Sequence, residues 1–296
     1  MHWQIVFAIF LSLLVALTLL RRKIALTTST SMPASITNAI SYVFGVMPIS
    51  FVVGFSTSRH IVWSGPTVFL LALEGICIAG FTWIALVSLR RIPPAHFQTI
   101  FQLSAVVVVT LGWVLLGETL RPNQLAGGVL ILIAGMLAIW APVEAPKNHK
   151  STRLQAKHGI LLAVAGTIVM GIGLVSEKAA LKYMNSGAYF IYGFGAQCIA
   201  AVVIASSQIK PKHFRILTRR HLGQTTLLGF ISAMVGFTYI AALAQSGNLS
   251  LITALKAFAL PLTAIAAHYI LKERNSSRSL WFAIWIGVAG LLLIAL

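Results

Sequence analysis

The hexapeptide Gly80-Phe81-Thr82-Trp83-Ile84-Ala85 returns in the second half of the chain as Gly236-Phe237-Thr238-Tyr239-Ile240-Ala241, with five of its six residues unchanged. Both copies lie inside long apolar runs. Three more matches keep nearly the same register: Leu116-Gly117-Glu118 with Leu271-Lys272-Glu273, Gly135 with Gly290, and Lys23-Ile24-Ala25-Leu26 with Lys178-Ala179-Ala180-Leu181. Because four matches occur in one order, they indicate that the chain arose by an internal duplication.

The composition is that of a chain surrounded by lipid. Of the 296 residues, 58% are hydrophobic and only 9% are charged, whereas a soluble domain carries roughly a quarter charged residues. The net charge of +17 resides in short clusters between apolar runs, which argues against a nucleic-acid partner and for contact with membrane lipids. The chain has five Glu and no Asp, so we expect no enzyme, no cofactor and no metal site.

Ten apolar stretches are long enough to cross a bilayer, which takes about 20 residues of helix. Their hydrophobicity is continuous rather than alternating, which favours helices over a barrel. The sequence therefore predicts an all-α integral membrane protein of ten transmembrane helices: 3–20, 36–55, 66–88, 95–116, 124–141, 159–176, 187–207, 222–244, 249–271 and 280–296. We divide the chain into a first five-helix repeat at 1–141, a linker at 142–158 and a second repeat at 159–296.

Five spans in each half have a topological consequence. Because five is an odd number, the second copy must enter the membrane in the opposite sense, which predicts two inverted five-helix repeats (5+5). Inverted repeats enclose a substrate site near the middle of the membrane and permit alternating access. The sequence contains no GxxxxGK[ST] phosphate loop, so we expect an ion gradient or the solute's own gradient to drive transport.

The basic residues predict an orientation. When each connection is numbered by the span that it follows, seventeen Lys and Arg residues lie in odd connections and four in even ones, with Lys256 inside a span. Basic residues favour the cytoplasmic side. The count therefore predicts odd connections in the cytoplasm and both termini outside, for a multi-pass protein of the plasma (inner) membrane.

A family resemblance follows from the segments after the fourth and ninth spans. The chain resembles the drug/metabolite transporter superfamily, specifically the EamA-like transporters, in Leu115-Leu116-Gly117-Glu118, Leu120 to Gly127, Ile131 to Gly135, Leu271-Lys272-Glu273 and Gly287 to Gly290. The resemblance implies an exporter or exchanger of small metabolites. It also implies cytoplasmic termini, opposite to the charge count. Family members commonly have a proline in the fourth span, where this chain has Ser104-Ala105-Val106-Val107.

Lys256 is a charge within an apolar span, where insertion costs about 2.5–3.5 kcal/mol. Glu74 in the third span lies at a similar depth, since both residues follow the starts of their spans by seven or eight positions. We hypothesise that Glu74 and Lys256 form a substrate-binding pair that contacts the amine and carboxylate of a zwitterion. The alternative is that Lys256 extends to the interface while Glu74 is protonated or capped locally.

Three more residues are candidate substrate contacts. Trp83 and Tyr239 occupy equivalent positions in the two repeats, where their rings could hold an organic solute from opposite walls; helix packing is the alternative for each. Gln98 and Gln102 lie one turn apart on one helical face. We predict a substrate contact for Gln102 and an interhelical hydrogen bond for Gln98.

The sequence thus predicts a secondary transporter that moves a small organic metabolite, amino-acid-like or drug-like, by alternating access. Two alternatives stay open: a lipid-linked sugar flippase of the same fold, and a membrane scaffold or subunit without a transport cycle. The small-molecule substrate is the expected partner. Gly127-Gly128 in the fifth span permits close helix approach, so a homodimer is also possible.

Overall fold

A computed structural model describes residues 3–27, 32–57, 60–116, 122–141, 153–209, 219–246, 259–271 and 278–295. Helix lies within each of the ten predicted spans. The helices are α1 Trp3–Thr27, α2 Ala34–Ser41, α3 Met47–Ser56, α4 Gly65–Leu89, α5 Pro94–Phe101, α6 Leu103–Leu116, α7 Pro122–Trp140, α8 Arg153–Ala180, α9 Ser186–Ser206, α10 Arg219–Ser246, α11 Ala259–Ile270 and α12 Arg278–Ala295.

The chain is a multi-pass membrane protein. Within the described part, six segments are long and apolar enough to cross a bilayer: Ala34–Ser56, Gly65–Leu89, Pro94–Leu115, Leu154–Ala180, Ser186–Ser206 and His221–Ala241. Three shorter apolar helices accompany them, Leu125–Trp140, Ala259–Ile270 and Arg278–Leu293. The count of ten crossings stays a prediction.

Two of the predicted spans are interrupted. In the second span a π-helical turn, Tyr42–Val46, joins α2 to α3. Pro48, in the first turn of α3, lacks the N–H that would continue the regular hydrogen-bond ladder, and widened turns relieve such gaps. In the fourth span, the N–H of Ala105 donates to the carbonyl of Gln102, three residues back, at 2.9 Å. This tighter turn separates α5 from α6.

Hydrogen bonds place three odd connections together. The Ser88 hydroxyl, at the end of α4, donates to the Gly159 carbonyl near the start of α8 at 2.8 Å. The Arg90 guanidinium donates to the Met32 carbonyl at 3.0 Å. The connections after spans 1, 3 and 5 therefore share one face of the protein, which we name the odd face.

A second set of bonds forms the other face. The N–H of Val62 donates to the Tyr183 carbonyl at 2.8 Å, and the N–H of Asn185 donates to the His60 carbonyl at 3.0 Å. The connections after spans 2 and 6 thus lie together on what we name the even face. Since α1 ends at the odd face and α8 begins there, the first helices of the two halves run in opposite directions, as an inverted duplication requires.

The third helix of each half packs against the first two spans of the other half. Helix α4 contacts α8 and α9, while α10 contacts α1, α2 and the π-helical turn. Glycines permit both approaches: a Cβ added to Gly75 would lie 2.8 Å from the Ala196 carbonyl oxygen of α9, and one added to Gly229 would overlap the Ser41 carbonyl of α2. The packing is therefore two-fold pseudo-symmetric.

We predict that Gly229→Ala lowers the melting temperature of the purified protein, because the new methyl group forces α10 away from the Ser41 carbonyl. Overpacking of this kind costs about 1–3 kcal/mol. The matched control is Gly223→Ala on the same helix, where an added Cβ meets nothing within 4 Å. Thermal unfolding in detergent compares the two variants. Equal melting temperatures would contradict the close contact between α10 and α2.

The two faces predict an accessibility pattern. Cysteines introduced at His60 and Tyr183 should react with a membrane-impermeant maleimide from one side of the membrane, and those at Arg91 and His158 from the other. The charge count predicts that the second pair is cytoplasmic. The unmodified chain, with native Cys77 buried and Cys198 half-buried, measures the background. Labelling of His60→Cys and Tyr183→Cys from opposite sides would refute the antiparallel arrangement of the halves.

Candidate functional site

A cavity of about 160 Å³ lies between the two halves. The first half contributes α1, α4, α5 and the π-helical turn, and the second half contributes α8, α9 and α10. Most lining side chains are apolar or aromatic, and three are tyrosines, Tyr42, Tyr189 and Tyr239.

Among the residues that the structure describes, two charged ones line this cavity, Arg21 and Glu177. Arg21 lies near the end of α1, and Glu177 lies near the end of α8. Because α1 ends at the odd face and α8 ends at the even face, the two charges lie toward opposite ends of the cavity. Both side chains are half-buried. The cavity is therefore polarised along the membrane normal.

The space between the charges is largely aromatic. Phe10 and Tyr239 pack with their ring centroids 5.8 Å apart, and Glu177 acts electrostatically on Tyr239. Along α1, Phe10 and Arg21 both line the cavity, and their eleven-residue separation corresponds to roughly 16 Å of helix. The cavity thus extends along α1, with an acidic end and a basic end.

Glu74 lies directly behind the cavity wall. Its side chain is fully buried in α4, and its Oε1 accepts hydrogen bonds from the Tyr189 hydroxyl at 2.9 Å and from Gln197 Nε2 at 2.6 Å. Tyr189 and Gln197 both line the cavity, whereas Glu74 does not. The carboxyl group therefore orients two lining side chains of α9.

The predicted site residues are distributed unevenly around this cavity. Tyr239 lines the cavity. Glu74 does not, but it accepts a hydrogen bond from the lining residue Tyr189. Trp83 is not a lining residue and belongs instead to a packing cluster between α1, α4 and α10. Gln102 is buried against Gly287 of α12, away from the lining. Lys256 lies outside the described residues, so its pairing with Glu74 stays a prediction.

The predicted interhelical bond of Gln98 is confirmed. Its Nε2 donates to Thr18 Oγ1 of α1 at 2.5 Å, and both side chains also line the cavity. Of this glutamine pair, the structure thus places Gln98 at the cavity and Gln102 away from it.

Among the lining residues that the sequence did not identify as substrate contacts are Arg21, Glu177, Tyr189 and Gln197. Arg21 counted as a loop charge, because the first span was ended at residue 20 whereas α1 continues to Thr27. A signal was nevertheless present in the repeat. The match of Lys23-Ile24-Ala25-Leu26 with Lys178-Ala179-Ala180-Leu181 aligns the end of α1 with the end of α8, and so places Arg21 and Arg22 beside the position equivalent to Glu177.

Comparisons with known proteins agree with this architecture. The model of the EamA-like transporter family matches residues 2–140 and residues 157–296. No curated protein matches the chain. A solved structure, described only as the crystal structure of a protein, superposes with a TM-score of 0.55 at 16% identity, covering 97% of this chain and 98% of that one. At this identity the likeness shows the fold alone.

We predict that Tyr189→Phe destabilises the folded protein by about 1–3 kcal/mol, because Glu74 loses one of its two donors in a buried setting. The matched control is Tyr192→Phe on the same helix, whose exposed ring contacts the edge of Trp63. Urea or thermal unfolding of the two purified variants gives the comparison. A Tyr189→Phe variant as stable as Tyr192→Phe would show that this hydrogen bond contributes nothing to the fold.

Proposed function

The chain belongs to the EamA-like transporter family, and from this premise we propose that it carries a small organic solute across the membrane by alternating access. It is a multi-pass membrane protein with the transporter fold of that family. The proposal involves binding and movement without a chemical step, and it places the protein in the plasma membrane.

One observation carries the proposal: charges of opposite sign stand toward the two ends of an otherwise aromatic and apolar cavity between the halves. Removing a charged side chain from water costs free energy unless the charge is compensated. A protein that served only as a scaffold would gain nothing from placing Arg21 and Glu177 in an internal cavity. In the proposed binding mode, a transported solute carries charges complementary to both residues.

The proposed solute is amino-acid-like or drug-like, with an ammonium group at one end and a polar or anionic group at the other. The ammonium binds near Glu177, where the rings of Tyr189 and Tyr239 add cation–π attraction. The anionic end binds the Arg21 guanidinium, which suits a carboxylate. The aromatic middle of the cavity covers the apolar part of the solute.

The hydrogen bonds at the two faces suggest how access alternates. Ser88 to Gly159 joins the halves at the odd face, and Val62 to Tyr183 joins them at the even face. In the proposed cycle one set breaks while the other persists, so that the cavity opens to one side at a time. An ion gradient or the gradient of the solute supplies the energy.

A thermal-shift screen of the purified protein tests the substrate class, since a ligand that binds the folded state raises its melting temperature. The panel contains α-amino acids, ω-amino acids of increasing chain length, monoamines, monocarboxylates and nucleosides. We expect zwitterions and amines to stabilise the protein more than monocarboxylates. Active compounds are then followed into proteoliposomes. A protein that transports none of the panel and co-purifies stoichiometrically with a partner would support the scaffold alternative.

We predict that Arg21→Gln and Glu177→Gln each weaken solute binding about tenfold or more, since a hydrogen bond to a charged group contributes about 1.5–3 kcal/mol. Glu177→Gln should affect monoamines as strongly as zwitterions, whereas Arg21→Gln should affect zwitterions and leave monoamine binding unchanged. The control is Lys23→Gln, an exposed residue near the end of the same helix as Arg21. Ligand-dependent melting shifts measure all three variants. Wild-type shifts in both cavity variants would refute the proposed binding mode.

A further inference from the structure

The tyrosine of the π-helical turn has a fixed backbone. The Tyr42 carbonyl accepts a hydrogen bond from the N–H of Met47, five residues further on, which is the bond that defines a π-helix. The turn packs against α10 so closely that a Cβ added to Gly45 would lie 2.6 Å from the Cα of Gly229. Tyr42 is itself buried and lines the cavity. The backbone therefore holds its ring at one place in the cavity wall.

Thr82 of α4 fixes the direction of the next hydrogen bond. Its hydroxyl donates to the Ala79 carbonyl at 2.9 Å, and a carbonyl oxygen can only accept. Because a hydroxyl has a single proton, Thr82 Oγ1 acts as an acceptor in any further bond. The Tyr42 hydroxyl forms a side-chain hydrogen bond with Thr82, so Tyr42 is the donor. With its own proton directed at Thr82, the Tyr42 oxygen offers only lone pairs to other groups.

The Arg21 guanidinium is a cavity group that can use those lone pairs. Arg21 and Tyr42 line the same cavity and interact electrostatically. A guanidinium has five N–H donors and no acceptor, so it matches an oxygen that can only accept. Thr18, one turn earlier on α1, lines the cavity as well, but its oxygen already accepts from Gln98 Nε2. Arg21 and Tyr42 are therefore complementary as donor and acceptor.

An arginine binds a ligand well only when its side chain is held in place. Arginine loses more rotamer freedom than most side chains when it is ordered, and a site gains affinity when its groups are ordered before the ligand arrives. Arg21 is only half-buried, so dense packing does not fix its guanidinium. A fixed acceptor in the cavity wall can do so.

We propose that Tyr42 is a positioning residue, whose acceptor oxygen holds the Arg21 guanidinium in the orientation that binds the anionic end of the solute. Tyr42 acts through Arg21, and Thr82 acts through Tyr42. The three residues thus link the wall formed by α4 to the cation of α1. This inference rests on the proposed function, which assigns Arg21 to the anionic end of the solute.

A double-mutant cycle tests the interaction of Tyr42 with Arg21 without any solute. We expect Tyr42→Phe to lower the melting temperature of the purified full-length protein, and to lower it less when Arg21→Gln is already present. The matched control is Tyr192→Phe, an exposed tyrosine of α9, which should give the same shift in both backgrounds. Additive shifts for Tyr42→Phe and Arg21→Gln would overturn the proposed interaction.

Ligand selectivity separates positioning from a general loss of structure. The probes are 6-aminohexanoate, a zwitterion, and hexylamine, which has as many carbon atoms but no carboxylate; ligand-dependent melting shifts measure both. We expect Tyr42→Phe to weaken 6-aminohexanoate binding about two- to tenfold, the effect of one lost hydrogen bond, and to leave hexylamine binding unchanged. In the Arg21→Gln background, Tyr42→Phe should change neither. Equal weakening of both probes, or a further loss in that background, would contradict a role through Arg21.

Thr82 supplies a conservative pair of variants. Thr82→Val removes the acceptor of the Tyr42 proton and should reproduce the selectivity of Tyr42→Phe, whereas Thr82→Ser retains the hydroxyl and should behave as the wild type. A Thr82→Val variant with wild-type selectivity would refute the role of Thr82. The two proposals fail separately. If neither probe binds the wild type, the proposed binding mode fails while the solute-free cycle still decides the Tyr42–Arg21 interaction; zwitterion binding together with an additive cycle refutes the positioning role alone.

Discussion

The close approach of each half's third helix to the opposite half is the constraint on which this structure depends. Lipid supplies no hydrophobic force between helices, so they associate through close packing and hydrogen bonds. At Gly75 and at Gly229 the absence of a side chain lets a backbone carbonyl of the facing helix come within contact distance. The two contacts hold α4 and α10 in place, and both helices line the cavity. The pocket exists because the halves interdigitate.

The second requirement is that polar groups inside the membrane find partners. Arg21 and Arg22 are adjacent in sequence but have different surroundings, because successive residues of a helix point about 100° apart. Arg22 is buried and donates to the carbonyls of Leu89 and Ile92, which ties α1 to the odd face. Arg21 faces the cavity. One arginine thus ties helices together, and the other lines the cavity.

The repeat relates Trp83 to Tyr239, yet only Tyr239 lines the cavity. Equivalent positions in an inverted duplication have equivalent backbone surroundings, but the cavity is not symmetric: the first three spans of both halves line it, and α5 of the first half lines it as well, whereas none of the described residues of α11 does. The same positions can therefore face a pocket in one half and a packed cluster in the other. Gln98 and Gln102 differ for a similar reason, since the turn between α5 and α6 directs them toward α1 and α12.

The amino-acid order was enough to predict apolar helical spans, because each residue that faces lipid must be apolar. It also predicted a duplication whose halves run in opposite directions, because an odd number of spans in each half reverses the second copy. Only the tertiary structure showed that Arg21 and Glu177 line the same cavity, toward its opposite ends. Each lies at the end of an apolar run and reads as a loop charge. Their common role arises only when helices from distant parts of the chain pack together, and no local pattern records which face of a helix its neighbours leave open.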